Sequence, residues 1–312
     1  MNPSPIGKML EVNSLCKSFS NVQAVKNINF NIKQGDIFAF LGPNGAGKTT
    51  TIRILLDIIK ADKGDINWTI NGNNMALPAA KYIGYLPEER GLYPDIPVIK
   101  SLVYLASIRG MDPKKARSRA MEWLKRTGLA DRAKDKLQTL SKGNQQKIQF
   151  IASVLHQPQF LILDEPFSGL DPLNQEIFIE YIKEINEQGT TILLSAHQMA
   201  LVEKVAHKIF LINNGQEIFK GSLNSLYDYF GQQHIIKLRF SEPISLDINH
   251  MPNEIEGIQQ ADEFNVQLNL KSGSSLNKAL AELAKLKGIN DITSHRPDLH
   301  EIFIQLVKRH SK

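Results

Sequence analysis

Cysteine and long apolar runs are both scarce in this sequence. Cys16 is the single cysteine among 312 residues, so no disulfide can form within the chain and a reducing cytoplasm is the expected setting. No apolar run approaches the roughly 18 residues that predict a membrane-spanning helix, and residues 1–8 lack the apolar segment of a secretory signal. We therefore expect a cytoplasmic protein, and any membrane-spanning part of its activity would belong to another polypeptide.

A strong excess of either charge is also absent. The 37 Lys and Arg residues exceed the 32 Asp and Glu residues by five. This surplus is too diffuse to indicate a nucleic-acid partner, and it is compatible with work beside an anionic membrane leaflet. The hydrophobic fraction of 42% is ordinary for a globular protein, and the length predicts about two domains.

Three glycines lie close together in residues 42–49, the most informative segment of the sequence. Residues 42–49 read GPNGAGKT and match the phosphate-binding pattern G-x-x-x-x-G-K-[ST]. Residues 36–41 predict a buried strand before the loop, and residues 50–59 predict a helix after it. Backbone N–H groups in such a turn bind phosphate oxygens, whereas the alternative is a glycine-rich turn before an ordinary helix. The predicted nucleotide-binding residues here are Gly42, Pro43, Asn44, Gly45, Ala46, Gly47, Lys48, Thr49 and Thr50.

Charged and hydroxyl groups predict metal and water chemistry beside this loop. Lys48 places a positive charge for the β- and γ-phosphates, and Thr49 is the natural Mg²⁺ ligand. Asp164 and Glu165 follow the apolar strand predicted at residues 160–163, where a parallel sheet presents its active edge. We expect Asp164 to hold the Mg²⁺ shell and Glu165 to orient or deprotonate the attacking water. The alternative is a pair of solvated turn carboxylates.

Residues 140–147, LSKGNQQK, closely resemble the signature sequence of ABC ATPases. Ser141 and Gly143 would open a helix whose N-terminal amides take up a γ-phosphate. His197 follows a predicted strand and resembles the switch histidine of that family. The order of these motifs is the family's, and the resemblance covers residues 9–230. The segment after the acid pair resembles the D-loop and consists of Ser168, Gly169, Leu170 and Asp171.

The resemblance implies that two nucleotide-binding domains pair head to tail. Each ATP would lie between the P-loop of one subunit and Ser141 of the other, in a homodimer or in a pair with a related ATPase. Phe19 would stack on the adenine with Val25 beside the same base, although a core or hairpin position is the alternative for Phe19. His197 would sense the γ-phosphate and contribute to catalysis, or else be a surface histidine. Glu88 stands where most members carry a metal-reaching glutamine, and it is the third expected metal ligand.

Alternating strands and helices predict an α/β fold with a parallel sheet. By resemblance this is a P-loop NTPase fold of the ABC type, with an antiparallel β subdomain and a helical subdomain at about residues 95–155. We place the ATP-binding domain at residues 9–230. The pattern then changes, and residues 231–312 predict a small α+β accessory domain. Its expected strands and helices are residues 235–240, 264–270, 276–287 and a last helix from residue 299.

Residues 86–94 and the segment ending at Phe303 resemble a branch of exporter ATPases that includes sodium-extrusion subunits. The leading expectation is therefore an ATP-hydrolysing subunit that acts with Mg²⁺ and drives a separate integral membrane permease. It would sit on the cytoplasmic face of the cell membrane and move Na⁺ or a small molecule.

Two other classes stay open. A soluble ABC ATPase of translation or DNA maintenance would carry two cassettes, or a long coiled coil between Lys48 and Ser141, and the sequence has neither. A nucleotide-dependent scaffold would bind without turnover, but Glu165 and His197 are both present. The sequence thus favours an exporter subunit.

Overall fold

A computed structural model describes residues 7–89, 91–230, 234–244, 251–271 and 273–310. The chain divides into two compact units, one ending at Gly221 and the other beginning at Ser222. The sequence-based boundary at 231 lies outside the described residues. The structural division comes earlier because the helix Leu223–Phe230 belongs to the second unit. The functional domain assignment stays a prediction.

The first unit contains an antiparallel sheet, a parallel sheet and a group of helices. Its strands are β1 (Lys8–Phe19), β2 (Val22–Lys33), β3 (Ile37–Leu41), β4 (Lys63–Ile70), β5 (Asn73–Met75), β6 (Ile83–Leu86), β7 (Phe160–Asp164), β8 (Thr191–Ala196), β9 (Lys208–Asn213) and β10 (Gln216–Ser222). Its helices are α1 (Lys48–Leu55), α2 (Val98–Ile108), α3 (Pro113–Arg126), α4 (Lys142–Val154), α5 (Pro172–Glu187) and α6 (Met199–Val202).

The antiparallel sheet has the order β2-β1-β4-β5. Its first two strands form a hairpin in which Phe19 pairs with Val22, and Ser20 and Asn21 form the turn. The register between β1 and β2 shifts several times along the hairpin. Such bulges twist a strand and re-aim its side chains, which matters for the residues near the nucleotide pocket.

The second sheet positions the site. Its order is β10-β9-β3-β8-β7-β6, and β3 is paired in parallel with both β8 and β9. The pairs β6–β7 and β7–β8 are parallel too. β3, β7 and β8 are buried along their whole length, which explains their continuous apolar sequences. Because their carboxyl ends share one edge, the segments that follow β3, β6, β7 and β8 meet there.

Aromatic side chains hold the helices and sheets of this unit together. Phe40 of β3 stacks on Phe210 of β9 with ring centroids 4.9 Å apart. The guanidinium of Arg126 at the end of α3 lies 4.4 Å from the ring centroid of Trp123 and 4.9 Å from that of Tyr181 in α5. Stacked arginines of this kind stabilise helix packing, so α3 is fixed against α5.

Helices α2, α3 and α4 lie within the residues, about 95–155, for which the sequence predicts a helical subdomain. α1 ends at Leu55 instead of residue 59, because Asp57 takes a φ of +58° and turns the chain out of the helix. The apolar spacing beyond Leu55 belongs to a turn in which Ile59 still packs against the core. Among the described residues, no helix is both long and apolar enough to cross a bilayer.

The second unit contains a four-stranded antiparallel sheet of β11 (Ile235–Phe240), β12 (Ile255–Gln260), β13 (Asn265–Leu270) and β14 (Ile289–His295), in the order β12-β13-β11-β14. Residues Ile236, Leu238 and Phe240 of its central strand pack against Leu283 of the helix below. Its helices are α7 (Leu223–Phe230), α8 (Leu276–Leu283) and α9 (Leu299–His310). The sequence missed β12 and β14 and predicted α8 four residues too long.

Candidate functional site

The glycine-rich loop after β3 is shaped by close backbone approaches. A Cβ atom at Gly42 would lie 2.2 Å from the carbonyl oxygen of Ile212. A Cβ atom at Gly47, where φ is +105°, would lie 2.3 Å from the carbonyl oxygen of Ala24. Both distances exclude any larger residue, so these two glycines let the loop lie against β2 and β9. The loop then leads directly into the N-terminus of α1.

A cavity of about 270 Å³ opens over this loop. Its lining consists of Ala24, Asn44, Gly45, Ala46, Gly47, Lys48, Thr49, Thr50, Glu88 and Glu165. Ala24 belongs to β2, and the other residues come from the loop, from α1 and from the segments after β6 and β7, which the parallel edge brings together. A larger cavity of about 420 Å³ lies near Lys8 and Gln34, but it contains none of the motif residues. Size alone is thus a poor guide to the site.

Lys48 places its ammonium group on the inner wall of the small cavity. Its Nζ atom donates to the carbonyl oxygens of Gly42 at 2.8 Å and Pro43 at 3.2 Å. The same atom lies 3.7 Å from Oε1 of Glu165. The side chain is almost fully buried, so its charge is poorly screened and is available to an anionic ligand in the cavity.

Three oxygen-bearing side chains converge beside Lys48. The hydroxyl of Thr49 donates to Oε2 of Glu88 at 3.3 Å and lies near the carboxylate of Asp164. The hydroxyl of Ser195 donates to Oδ1 of Asp164 at 2.7 Å. Burial raises the pKa of Asp164, with further increases from the negative charges of Glu88 and Glu165, while the nearby hydroxyls of Ser195 and Thr49 oppose the rise.

Two buried carboxylate oxygens bear on whether a cation fits this cluster. Oδ2 of Asp164 and Oε1 of Glu165 have no hydrogen-bond partner among the described residues. Unpaired buried carboxylate oxygens are costly, and a cation would satisfy them. No group of three His, Cys, Asp or Glu side chains within the described ranges forms a metal site by itself. Mg²⁺ commonly takes one or two carboxylates plus phosphate oxygens, so the cluster fits it only together with a nucleotide.

Glu165 is held in a strained backbone conformation between two polar partners. Its φ is +52°, which is unfavourable for a residue with a Cβ atom, and its N–H donates to the carbonyl of Ser195 at 3.0 Å. Oε2 lies 2.8 Å from Nδ1 of His197. Oε1 faces Lys48 and is the oxygen without a hydrogen-bond partner within the described part of the chain. One carboxylate oxygen is thus fixed and the other is available to a ligand.

The signature residues lie outside this cavity. Ser141 is exposed, and its hydroxyl caps α4 by accepting a hydrogen bond from the N–H of Asn144 at 3.3 Å. Gly143 packs closely on the D-loop, because a Cβ atom there would lie 3.0 Å from the carbonyl oxygen of Gly169. Neither Ser141 nor Gly143 lines the cavity that contains Lys48. The chain does not bring its own signature and P-loop into one pocket.

The predicted D-loop connects β7 to α5. The N–H of Ser168 donates to the carbonyl of Glu165 at 3.1 Å, and Leu170 is buried beneath the turn. Asp171 caps α5 by accepting from the N–H of Asn174 at 2.9 Å, and this hydrogen bond is the main cause of its lowered pKa. The segment therefore carries the backbone directly from the acid pair into a helix.

The two residues predicted to contact a base have different surroundings. Phe19 is 47% exposed at the end of β1, and the ammonium of Lys17 lies 5.4 Å from its ring centroid. Val25 is fully buried in the core, and its contact with a base stays a prediction. Its neighbour Ala24 lines the cavity instead. The shifted register of the β1–β2 hairpin makes side-chain direction hard to predict here.

Sequence reasoning missed the residues that support the site from behind. Ser195 bonds Asp164, and the buried amides of Gln146 and Gln149 in α4 contact backbone carbonyls near Glu165 and Glu88. None of these residues carried a role in the motif analysis. A polar residue inside an otherwise apolar strand or helix face was the one available signal.

Comparisons with known proteins agree with this geometry. The family profile described as "ABC transporter" matches residues 25–168. The uncharacterized ABC transporter ATP-binding protein YhaQ of Bacillus subtilis is 37% identical over 304 residues, covering 96% of this chain and 98% of YhaQ. The linearmycin resistance ATP-binding protein LnrL, from the same organism, is 31% identical over 96% of this chain and 99% of its own length.

A solved structure with a similar fold supports the same assignment. It is the dimeric ATP-binding cassette MJ0796 in a post-hydrolysis state, bound to ADP and Pi. Its TM-score is 0.62 at 24% identity, over 69% of this chain and 99% of that one. The fold of the first unit is accordingly that of a P-loop nucleotide-binding cassette.

Proposed function

Because this chain belongs to the family of ABC transporter ATP-binding proteins, we propose that it is the ATP-hydrolysing subunit of an exporter and drives a separate integral membrane permease. The observation that carries this proposal is one cavity lined by Lys48, Thr49, Glu88 and Glu165, with Asp164 directly behind it. The cavity thus combines a positive charge that can bind phosphates, oxygen atoms that can bind a cation and a carboxylate that can accept a proton from water. Such a set suits phosphoryl transfer from ATP to water.

ATP binding assigns distinct work to the residues of the cavity. The backbone N–H groups of the loop and of the first turn of α1 would cradle the phosphates. Lys48 would leave its two carbonyl acceptors and bond the β- and γ-phosphates instead. Phe19, which is about half exposed, would stack on the adenine. Thr49, Glu88 and Asp164 would hold Mg²⁺, which supplies neutralisation of the phosphate charge when it is bound.

Hydrolysis is assigned to Glu165 and His197. Oε2 of Glu165 is held by Nδ1 of His197, so the carboxylate cannot rotate freely. Oε1 is left to orient the attacking water and to accept its proton. The left-handed backbone at Glu165 aims this oxygen at Lys48, beside which the γ-phosphate would lie.

Dimerisation would complete the site. Ser141 is exposed and does not line the cavity, so a second subunit has to supply the signature if it contacts ATP. The dimer named for MJ0796 supports this arrangement by analogy. A homodimer is the simplest form, and a pair with a related ATPase is equally compatible with the exposed Ser141.

The transport role has its own support. LnrL is named a resistance protein, and removal of a compound from the cell is one route to resistance, which favours export of a small molecule over uptake. Export of Na⁺ is the other candidate. The chain would be cytoplasmic and peripheral on the inner face of the cell membrane, with no nucleic-acid partner.

Isolation of the native complex tests this function. The tagged chain, solubilised from membranes in mild detergent, should co-purify with an integral membrane protein, and the reconstituted pair should hydrolyse Mg-ATP faster than the subunit by itself. The Glu165→Gln variant is the matched control, since it should recover the same partner without turnover. A wild-type complex that binds Mg-ATP and never hydrolyses it would contradict the proposal.

A further inference from the structure

Helix α4 turns two glutamines toward the interior behind the cavity. Gln146 and Gln149 are both nearly fully buried, with exposed fractions of 2% and 4%. Residues three positions apart in a helix lie on the same face, so both side chains point the same way. Ser141 caps the start of this helix. The signature and the two amides thus belong to one rigid element.

Gln146 supports the turn that carries the candidate base. Its Nε2 atom donates to the carbonyl of Pro166 at 3.0 Å and lies 3.5 Å from the carbonyl of Glu165. These carbonyls belong to the strained turn after β7, where Glu165 has its positive φ. α4 is therefore bonded to the hydrolysis site of its own chain.

Gln149 makes the same kind of bond to the loop after β6. Its Nε2 atom donates to the carbonyl oxygen of Glu89 at 3.1 Å. The preceding residue is Glu88, whose carboxylate accepts from Thr49 at 3.3 Å. A single peptide unit thus separates the anchored carbonyl from a predicted metal ligand. The position of Glu88 depends on where that carbonyl is held.

The amide of Gln149 is satisfied on one side only. Its Oε1 atom is buried and has no hydrogen-bond partner among the described residues. Only the orientation with Nε2 toward Glu89 gives that carbonyl a donor. An unpaired buried oxygen costs free energy, which offsets part of the stabilisation from the hydrogen bond to Glu89. The hydrogen bond that holds the loop can therefore break at little cost. This suits a contact that differs between two states of the site.

We propose that Gln149 is a positioning residue that sets where Glu88 lies relative to Thr49, so that α4 and the metal site of the same chain move together. The inference rests on the proposed function, since it concerns Mg-ATP at that site. If α4 shifts when Ser141 contacts the ATP bound to a second subunit, the amide of Gln149 would transmit that shift to Glu88. By reciprocity, Mg-ATP binding near Glu88 would bias the position of α4.

The test compares Gln149→Met with Asn186→Leu. Methionine keeps the length of glutamine and removes the donor. Asn186 is the matched control, because its amide also donates to backbone carbonyls, those of Gly35 at 3.0 Å and Thr190 at 2.9 Å, away from the cavity. The first readout needs no nucleotide: it is the rate at which a glutamate-specific protease cleaves after Glu88 or Glu89, followed by mass spectrometry.

The second readout is the Mg²⁺ concentration that half-saturates binding of a fluorescent ATP analogue. We expect Gln149→Met to be cleaved about fivefold faster, because the loop opens more often. We expect its Mg²⁺ requirement to rise about tenfold, as for loss of a residue that supports a metal ligand. Asn186→Leu should match wild type in both measurements. If Gln149→Met does not fold, Gln149→Glu takes its place and is judged by the same two readouts.

Each outcome has a defined meaning. Wild-type rates of cleavage and a wild-type Mg²⁺ requirement in the folded Gln149 variant would overturn the positioning role. Equal changes in Asn186→Leu would overturn it too, since the effect would then be general loosening. Failure of the wild-type protein to bind the ATP analogue would instead count against the proposed function. The cleavage rates would still decide whether Gln149 holds the loop.

Discussion

The imidazole of His197 is bonded to the carboxylate of Glu165, with Nδ1 and Oε2 2.8 Å apart. In a neutral ring this contact requires the proton on Nδ1, which leaves Nε2 as an acceptor. An acceptor cannot bond a phosphate oxygen. His197 must therefore gain a proton or release Glu165 before it can sense a γ-phosphate through Nε2. The two residues form one unit, and their effects on turnover should be coupled.

Removing the carboxylate of Glu165 should separate binding from hydrolysis. Glu165→Gln keeps the shape of the side chain but loses the proton acceptor, so phosphate release should slow by about 10²–10⁴-fold. Mg-ATP binding should be retained, and an ATP-bound dimer should accumulate on size-exclusion chromatography. Glu176→Gln, which alters a surface ion pair with Lys204, is the control and should hydrolyse ATP normally. Unchanged phosphate release in Glu165→Gln would remove Glu165 from this role.

The pairing of His197 with Glu165 predicts non-additive kinetics. His197→Ala should slow hydrolysis, because Oε2 of Glu165 loses the partner that fixes it. In the Glu165→Gln background, the same change should cost little more, since residues that act as a unit are strongly non-additive. Single-turnover hydrolysis of the two single variants and the double variant measures this coupling. Independent, multiplying effects would mean that His197 acts elsewhere.

Truncation of Lys48 should weaken nucleotide binding itself. Charge-assisted hydrogen bonds contribute about 1.5–3 kcal/mol, so Lys48→Ala should raise the dissociation constant for Mg-ATP by roughly 10–100-fold. Isothermal titration calorimetry gives this value directly. Lys60→Ala removes an exposed lysine beyond α1 and should leave the affinity near wild type. Equal affinities for the two variants would contradict the phosphate-binding role of Lys48.

Mixed subunits should test the shared site. A Ser141→Arg subunit paired with a Lys48→Ala subunit has both lesions in one composite site and neither in the other. Hydrolysis should therefore return to a fraction of the wild-type rate when the two inactive variants are mixed. If Ser141 acted on the ATP of its own chain, each site would keep one lesion. Proven heterodimers without any recovered turnover would then refute the head-to-tail geometry.

His156 should make the stability of the protein sensitive to acid. The pKa of His156 is lowered from 6.5 to about 4, mainly by burial and also by the nearby charge of Arg109, while its hydrogen bond to the carbonyl of Ile83 acts in the opposite direction. Between these values the unfolded chain binds a proton that the folded chain does not. Neutral His156 therefore contributes to the free energy of unfolding above its ordinary pKa of 6.5. This contribution is lost as the pH falls from 6.5 toward about 4.

The measurement for His156 is urea unfolding at several pH values. His156→Gln removes this titration and should flatten the pH dependence, with a difference from wild type of up to about 3 kcal/mol across the window. His207→Gln is a useful comparison, because His207 has no burial of that degree. Parallel pH curves for wild type and His156→Gln would show that His156 does not titrate as its burial indicates.

Strong periodic signals made most of the first unit predictable. β3, β7 and β8 are short apolar runs, and their parallel order follows from the helices between them. The end of α1 was missed because the apolar spacing continues to Ile59, whereas the backbone at Asp57 leaves the helix. β14 was missed because it is an edge strand with mostly exposed residues, so it has no apolar alternation to detect.

The site was predictable where a motif fixes both residue type and position. Lys48, Thr49 and Glu165 line one cavity, as their places after strands of one sheet predict. The burial of Val25 was not predictable, because the direction of a side chain in a bulged hairpin depends on register, which the sequence does not reveal. Gln149 carried only the weak signal of a polar residue on a buried helix face, because it contacts a carbonyl 60 positions away.

The contacts of Gly42 and Gly47 bear on how small an ATP-binding fragment of this chain can be. Gly42 lies against the carbonyl of Ile212, and Gly47 lies against that of Ala24. A gene fragment that encodes residues 30–200 would contain the P-loop, the signature, the acid pair and the switch histidine. It would nevertheless lack the backbone at Ala24 and Ile212, against which the loop packs. Such a truncated protein would contain every ATPase motif and yet lack a preformed phosphate-binding loop.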